Sequence, residues 1–411
     1  MCRYLTNILR MTLALASSMP LAVMADGEAK EKPGYRVGDF RVLPEVDVTA
    51  YYDDNIYAAN RGKESDLISV VSASLDAESQ WDRHSLDLEA GASIGRYLDI
   101  SDEDYEDVWL KGDGQWDLGE QSRLYAGAGY SVNHESRDAK ESSQQEIDEP
   151  TTYDSRTLQI GLDQLLGEFE LKLGATYEGL DYDNVGTLLN DDRDRTVKGL
   201  GLRVSMPLAE RASLFAQGII NQRDYDDVTD QFGYERDSDG YNALVGIKMS
   251  YQGGHSVELY GGYLVQEYDD RRFERLSEPN YGFDLRWFPS KKTKVTGVLE
   301  RSSNETTELG SAGYLYTNLD LQVDQKLMAD VVGYLNYNYG LAEFQDVGRE
   351  DTTHTASVGV KYYLSPKVMV TGSYSHVDND SNDRNSVSPV TETYDYKRNL
   401  IFLTLRARLV L

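Results

Sequence analysis

Cysteine is almost absent from this chain: Cys2 is the only one in 411 residues. It falls within the first 25 residues, so the chain beyond them has no disulfide, no thiol chemistry and no lipid-bearing cysteine. Positive charge is also scarce, with 41 basic against 70 acidic residues, a net charge of −29 and a pI near 4.5. A surface of that sign repels nucleic acid. No apolar run long enough for a helical membrane span follows residue 25, and helix formers do not recur there at 3.6-residue spacing. There is no His-Glu-x-x-His or Walker pattern. These absences argue against an enzyme and call for neither a cofactor nor a resident metal.

Residues 1–25 read as a processing segment. Arg3 and Arg10 flank the charged start, residues 11–24 are mostly apolar, and Val23-Met24-Ala25 precedes Asp26. The pattern predicts a secretory signal peptide cut after Ala25. A short periplasmic segment, 26–39, would follow, and everything from 40 to 411 would be one domain. Export without disulfides suits the outer membrane of a Gram-negative cell.

What the chain has in abundance is tyrosine (30), glycine (35) and strict alternation. In the last stretch, Ile401, Leu403, Leu405, Ala407, Leu409 and Leu411 share one face, and Phe402, Thr404, Arg406, Arg408 and Val410 share the other. A terminal strand that is apolar outward needs a partner on each side, and closure onto the first strand, 41–52, supplies one. Similar alternation recurs in 85–97, 123–132, 171–177, 200–206, 241–251, 257–265, 315–323 and 356–364. Short connections (near 81–84, 119–122, 166–168, 207–212, 252–255, 289–293, 327–330 and 365–367) alternate with longer, mostly acidic ones. The longer ones lie near 59–65, 99–104, 136–151, 183–192, 226–239, 269–280, 304–310, 343–351 and 379–393. The count implies about 18 strands with both termini on the short-turn side. That is an all-β, antiparallel, up-and-down transmembrane barrel with short periplasmic turns and long acidic extracellular loops. A soluble sandwich has no reason to lengthen its loops on one side only, and no four-strand blade repeat suggests a propeller. Tyrosines where strands meet long loops, among them Tyr52, Tyr97, Tyr153, Tyr182, Tyr225, Tyr268 and Tyr281, read as an interfacial aromatic girdle.

Several stretches carry a further likeness: Tyr51-Tyr52-Asp53-Asp54-Asn55-Ile56-Tyr57, the turn Trp81-Asp82-Arg83-His84, Pro150-Thr151-Thr152-Tyr153, Asp191-Asp192-Arg193-Asp194-Arg195 and Arg236-Asp237-Ser238-Asp239-Gly240-Tyr241. Their order and spacing resemble the β-barrel porin family associated with exopolysaccharide biosynthesis. The resemblance implies an outer-membrane channel, an exit for a secreted polysaccharide, and no catalytic residues. The chain ends in Leu411 rather than the aromatic common in outer-membrane proteins.

With the outward faces assigned, the inward residues follow. Glu45, Asp47, Asp76, Asp87, Glu89, Asp113 and Asp117 form an acidic wall on the early strands. Arg123, Lys172, Arg203, Lys248, Arg286, Lys361, Arg406 and Arg408 form a basic wall on the later ones, toward the periplasmic mouth. Closure would bring Arg406 and Arg408 to Glu45 and Asp47. Charged rings set pore selectivity, and a basic wall draws carboxylate-bearing sugars. Inward aromatics Trp109, Tyr125, Phe215, Tyr260 and Tyr316 can stack on sugar rings or simply fill space. The expected partners are outer-membrane lipid and lipopolysaccharide, the barrel-assembly machinery, periplasmic polysaccharide-export proteins, and polysaccharide or small polar solutes. A general or sugar-selective porin is the alternative function; a surface enzyme or adhesin is a second.

The loops offer less. Asp378-Asn379-Asp380-Ser381-Asn382-Asp383 resembles the start of a calcium loop but lacks its glycine and distal glutamate. Loop 136–151 is among the longest and can fold inward as a constriction. Of the histidines, His134, His354 and His376 lie near long-loop ends, where a barrel enzyme would place a site.

Overall fold

The computed structural model of the chain describes residues 34–140, 149–186, 188–382 and 394–409. The expected signal peptide, most of segment 26–39, part of loop 136–151, Asp383, and the terminal Val410 and Leu411 lie outside them.

Among the described residues, eighteen long strands and one short one form a single antiparallel sheet. The first half comprises β2 (Phe40–Asp53), β3 (Asp66–Ser79), β4 (Ser85–Tyr97), β5 (Tyr105–Asp117), β6 (Ser122–His134), β7 (Thr152–Leu166), β8 (Phe169–Tyr182), β9 (Arg195–Ala209) and β10 (Ala212–Tyr225). The second comprises β11 (Ser238–Ser250), β12 (Ser256–Tyr268), β13 (Leu276–Ser290), β14 (Thr293–Glu305), β15 (Gly313–Lys326), β16 (Val331–Phe344), β17 (Glu350–Ser365), β18 (Val368–Ser381) and β19 (Tyr396–Arg408). Each pairs with the next, and β19 pairs with β2, so the sheet closes into an 18-stranded barrel. Closure removes the sheet edges that hydrocarbon cannot satisfy.

The expected seam register holds. Arg406 faces Asp47, Arg408 faces Glu45 and Leu403 faces Ala50. The sequence reading missed β1 (Tyr35–Val37), which turns back through Gly38, at φ +59°, to pair with residues 40–42 of β2. β19 ends opposite Glu45, so β1 takes the edge of β2 that the closing strand leaves bare. Part of segment 26–39 therefore belongs to the barrel.

Strands run from 13 to 16 residues, more than the 9–11 that cross a bilayer. The surplus stands at the long-loop end. The outer face is apolar nearly all round, with Val48, Leu88, Leu110, Ile160, Ile220, Val245, Leu335, Val358 and Leu403 exposed. Exposure of this kind is a defect in water and a requirement in lipid. Buried residues concentrate at the long-loop end, and most of the fully buried ones there are polar, such as Arg193, Glu103, Asn55 and Thr151.

Candidate functional site: the lumen and its outer mouth

The predicted acidic residues line β2 to β5. Asp76 lies directly opposite Glu89, and Asp87 sits between Glu78 and Asp113 in one cross-strand row. Like charges at this spacing repel. Relief comes from Arg41 paired to Glu78, from the Gln159 amide donating to Asp113 at 2.7 Å, and from the Trp109 indole donating to Glu89 at 2.7 Å. At the seam, Arg406 Nε donates to Asp47 at 2.8 Å and lies 3.1 Å from Glu45, which also accepts from Arg408 at 3.0 Å.

The predicted basic residues are spread over β6, β8, β9, β11, β13, β17 and β19. Most meet a nearby carboxylate. Arg123 donates to Asp117 at 2.8 Å, and Lys172 lies 3.4 Å from Asp163. Arg203 binds Glu258 through two nitrogens at 2.8 and 3.0 Å, with Lys248 4.0 Å from the same carboxylate. Lys361 is 3.8 Å from Asp324. Arg286 faces Ser256 and Thr296 in register. Pairing leaves local dipoles along these strands, whereas β3–β5 bring Asp76, Glu78, Asp87, Glu89 and Asp113 into neighbouring rows, with Lys111 opposite Glu89.

The lumen aromatics share a placement that spacing alone does not reveal. Trp109 lies over Gly91, Phe215 over Gly246 and Tyr260 over Gly282, each the residue directly opposite on the next strand. A Cβ on Gly91 would come 2.2 Å from the Trp109 ring. Tyr316 covers Gly340 diagonally, and Tyr125 contacts Asp163 through its hydroxyl at 3.2 Å. A glycine beneath Trp109, Phe215, Tyr260 and Tyr316 lets those four rings lie flat on the wall and shield the backbone.

Two segments cross the outer mouth. The first is the start of the 136–151 loop. Lys140 Nζ reaches Asn379 Oδ1 at 3.2 Å and Asp351 at 3.5 Å, and its carbonyl accepts from Thr306 Oγ1 at 3.4 Å. Tyr396 donates to Asp138 at 3.3 Å. β18 and β19 are far around the wall from β6, so 136–140 spans the opening. The inward constriction expected of this loop is present in its described part.

The second segment is the outer end of the β14–β15 hairpin. Pairing of β13 with β14 runs only as far as Phe283–Leu299, although both strands continue. Above that point β14 crosses the inner face of β13. A Cβ on Gly282 would lie 2.2 Å from the Leu299 carbonyl. The hairpin end then packs on the inner wall formed by β10 to β13. Leu315 clusters with Leu264 and Leu276, Arg223 of β10 pairs with Glu305 and donates to the Ser303 carbonyl at 2.7 Å, and Tyr225 donates to Glu305 at 2.8 Å. Where β14 leaves β13, Arg301 covers the bare edge: it donates to the Pro279 carbonyl at 2.7 Å, to Thr317 at 2.9 Å and to Glu343 at 2.9 Å.

Buried arginines hold this end together. Arg137 Nε donates to Glu103 at 2.8 Å; Arg193 Nη1 donates to Glu135 at 2.9 Å and stacks 3.9 Å over Tyr182. Arg236 Nε donates to Asp230 at 2.8 Å, and the half-buried Arg398 donates through Nε to the buried Asp53 at 2.7 Å. Arg349 binds Asp351 at 2.6 Å and Glu308 at 2.8 Å while stacked 3.4 Å over Tyr394. Sequence reading placed the functional basic residues at the other mouth and missed these. Their signal was present, since Arg193 and Arg236 lie in motifs quoted above. Burial would raise the Asp138 carboxyl, but Arg398, the Ser136 hydroxyl and Lys140 hold it below its usual range; burial pushes Lys140 down against the pull of Asp351.

The loop carboxylates mostly serve the backbone. Asp104, Asp194, Asp237 and Asp395, each just before a strand, accept from the amide closing the preceding strand: Tyr97 at 2.8 Å, Tyr182 at 2.6 Å, Tyr225 at 2.7 Å and Ser381 at 2.6 Å. Burial, with Asp181, Asp191 and Asp226 nearby, raises Asp194 to about 6 despite that amide. Asp378 to Ser381 lie in β18, so successive side chains point to opposite faces rather than wrapping an ion. His134 bonds Asp107 at 2.9 Å, His354 bonds Tyr337 at 2.8 Å and His376 bonds Asn399 at 2.8 Å, none of them a nucleophile-bearing serine or threonine.

An apolar outer belt, a charged bore and a mouth narrowed from within define a transmembrane β-barrel channel. The sequence matches the family described as "Putative beta-barrel porin 2" over residues 28–409, and the chain belongs to that family. It is an outer-membrane barrel of the porin-like kind. No curated protein matches it. Among solved structures, the FrpB iron transporter from Neisseria meningitidis (F5-1 variant) superposes with TM-score 0.53 at 9% identity, over 90% of this chain and 70% of its own. OccK2 (OpdF) of Pseudomonas aeruginosa gives 0.48 at 11% identity, over 90% of this chain and 98% of its own. The outer membrane protein opdK of Pseudomonas aeruginosa gives 0.48 at 12% identity, over 89% and 99%.

Proposed function

We propose that this barrel is a selective channel for hydroxylated polar solutes of the saccharide class, which pass in extended conformation. The observation that carries this reading is the mouth. Segment 136–140 and the β14–β15 hairpin end both lie across it, held by buried ion pairs. A wide, non-selective pore has no use for two inward segments, whereas discrimination needs a narrow polar passage. The charged bore supports it further: paired charges line the lumen while the carboxylate rows of β3–β5 disfavour bulky anions on that side.

Export of an exopolysaccharide is the polymeric form of the same reading, and the family resemblance supports it. In that case the two mouth segments swing aside as a chain is threaded from periplasmic export proteins. A sugar-selective porin for small solutes is favoured by the narrowing itself. Liposomes containing the purified protein, challenged with sugars of increasing length, separate the two. Swelling with mono- and disaccharides alone supports the porin. Passage only of longer chains, and only with periplasmic partners present, supports export. Liposomes impermeable to every sugar would overturn both.

A further inference from the structure

The hairpin end covers a stretch of wall that is built for something else. Asn221, Asn242 and Asn280 face inward on β10, β11 and β13, at neighbouring register levels. Asn242 is 5% exposed and Asn280 is 1% exposed. Asn280 has neither amide atom hydrogen-bonded, and the Oδ1 atoms of Asn221 and Asn242 have no partner either. Gln266, on β12 beside them, spends its amide nitrogen on Ser238. Between these amides Gly240 and Gly262 bear no side chain, and the Gln266 and Asn221 amides lie over Gly240. Buried polar groups are ordinarily satisfied, and several orphans in one patch mark a place where a partner is missing. The hairpin end lies over this wall, with Leu315 against Leu264 and Leu276 and Arg301 donating to the Pro279 carbonyl beside Asn280.

We propose that this amide-lined wall is a binding site for an uncharged saccharide, and that the end of the β14–β15 hairpin is the lid that covers it between passages. The proposal rests on the channel reading above and names the site within it. A carboxamide offers a donor and an acceptor side by side, which matches the vicinal hydroxyls of a sugar ring. Tyr260, flat on Gly282, lies further down the same wall and offers a ring face to the sugar's C–H side. The lid is attached in a way that permits exchange. β14 is unpaired from β13 above Leu299, where Arg301 bridges the two, while β15 stays paired with β16 out to Tyr314, so the lid moves together with the outer end of β16. Its inner latch is polar, Arg223 with Glu305 and the Ser303 carbonyl, and water or solute hydroxyls can replace such bonds.

The test uses the full-length protein in planar bilayers, with maltohexaose added on the loop side as a neutral probe. Wild type is expected to show transient, concentration-dependent block of ion current. Asn242→Leu with Asn280→Leu is expected to weaken block at least tenfold while ion conductance stays within twofold. The near-isosteric pair Asn242→Asp with Asn280→Asp, which keeps the shape and removes the amide donors, serves if the leucine pair does not insert. A disulfide between Leu264→Cys and Leu315→Cys pins the lid; block should vanish when it is oxidised and return on reduction. Block unchanged in the asparagine variants, or persisting with the lid pinned, would overturn the site alone. A wild-type channel that neither admits nor is blocked by any sugar would overturn the channel reading with it.

Discussion

The seam offers the sharpest test of the architecture. Arg406 on the closing strand contacts two carboxylates of the first strand, Asp47 at 2.8 Å and Glu45 at 3.1 Å, and its side chain is 12% exposed. An exposed pair is worth about 1 kcal/mol at most, and removing one member of a buried pair costs about 3–5 kcal/mol. This lumen-facing cluster lies between those limits, so Arg406→Met should cost about 2–3 kcal/mol. Arg406→Glu adds like-charge contacts; at 4 Å and an effective dielectric of 20, each is worth about 4 kcal/mol before side chains turn away. The reversed variant should lose its compact, heat-modifiable band on gels at a markedly lower temperature. Asp47→Arg in the same chain restores one opposite-charge contact and should recover most of the loss, with a coupling of about 2 kcal/mol or more in a double-mutant cycle. If the effects of Asp47→Arg and Arg406→Glu merely add, the pair does not hold the seam and the argument for an electrostatic clasp fails.

Three further outcomes follow from the mouth. Arg223→Met strands Glu305 without its cation, a loss of about 3 kcal/mol that shifts the hairpin roughly a hundredfold toward its displaced position; single-channel records should gain a longer-lived, higher-conductance level, and records matching wild type would refute the latch. Lys140→Glu places a carboxylate beside Asp351, now 3.5 Å from the lysine, so segment 136–140 should leave the opening, with raised conductance and faster protease cleavage after residue 135. Asp194 has a folded pKa of about 6 against 3.8 for the free group. The folded state therefore binds its proton more tightly, and stability falls as pH rises from about 4 through 6. Asp194→Asn keeps the acceptor for the Tyr182 amide and should flatten melting temperature against pH in that window; an unchanged slope would show that Asp194 is not the titrating group.

Period-2 patterning alone decided the barrel, its strand number, which end carries long loops, and the seam register. Ile401, Leu403, Leu405, Ala407 and Leu409 must face lipid, and a slip of one residue would turn Arg406 and Arg408 outward. Those are consequences of local alternation and of the rule that hydrocarbon tolerates no sheet edge. β1 escaped notice because three residues carry no period, and its place was set by where β19 happens to stop. The mouth was beyond the reach of the pattern for a stronger reason. β14 and β15 alternate like their neighbours, and nothing in 293–326 records that β14 leaves β13 at Leu299. That departure depends on Gly282 opposite Tyr260, on Arg223 four strands away, and on a leucine triad drawn from three strands. The sequence shows which residues are charged or bare of side chain; only closure of the sheet brings residues 80 or more positions apart within reach of one another, and there the passage acquires its lid.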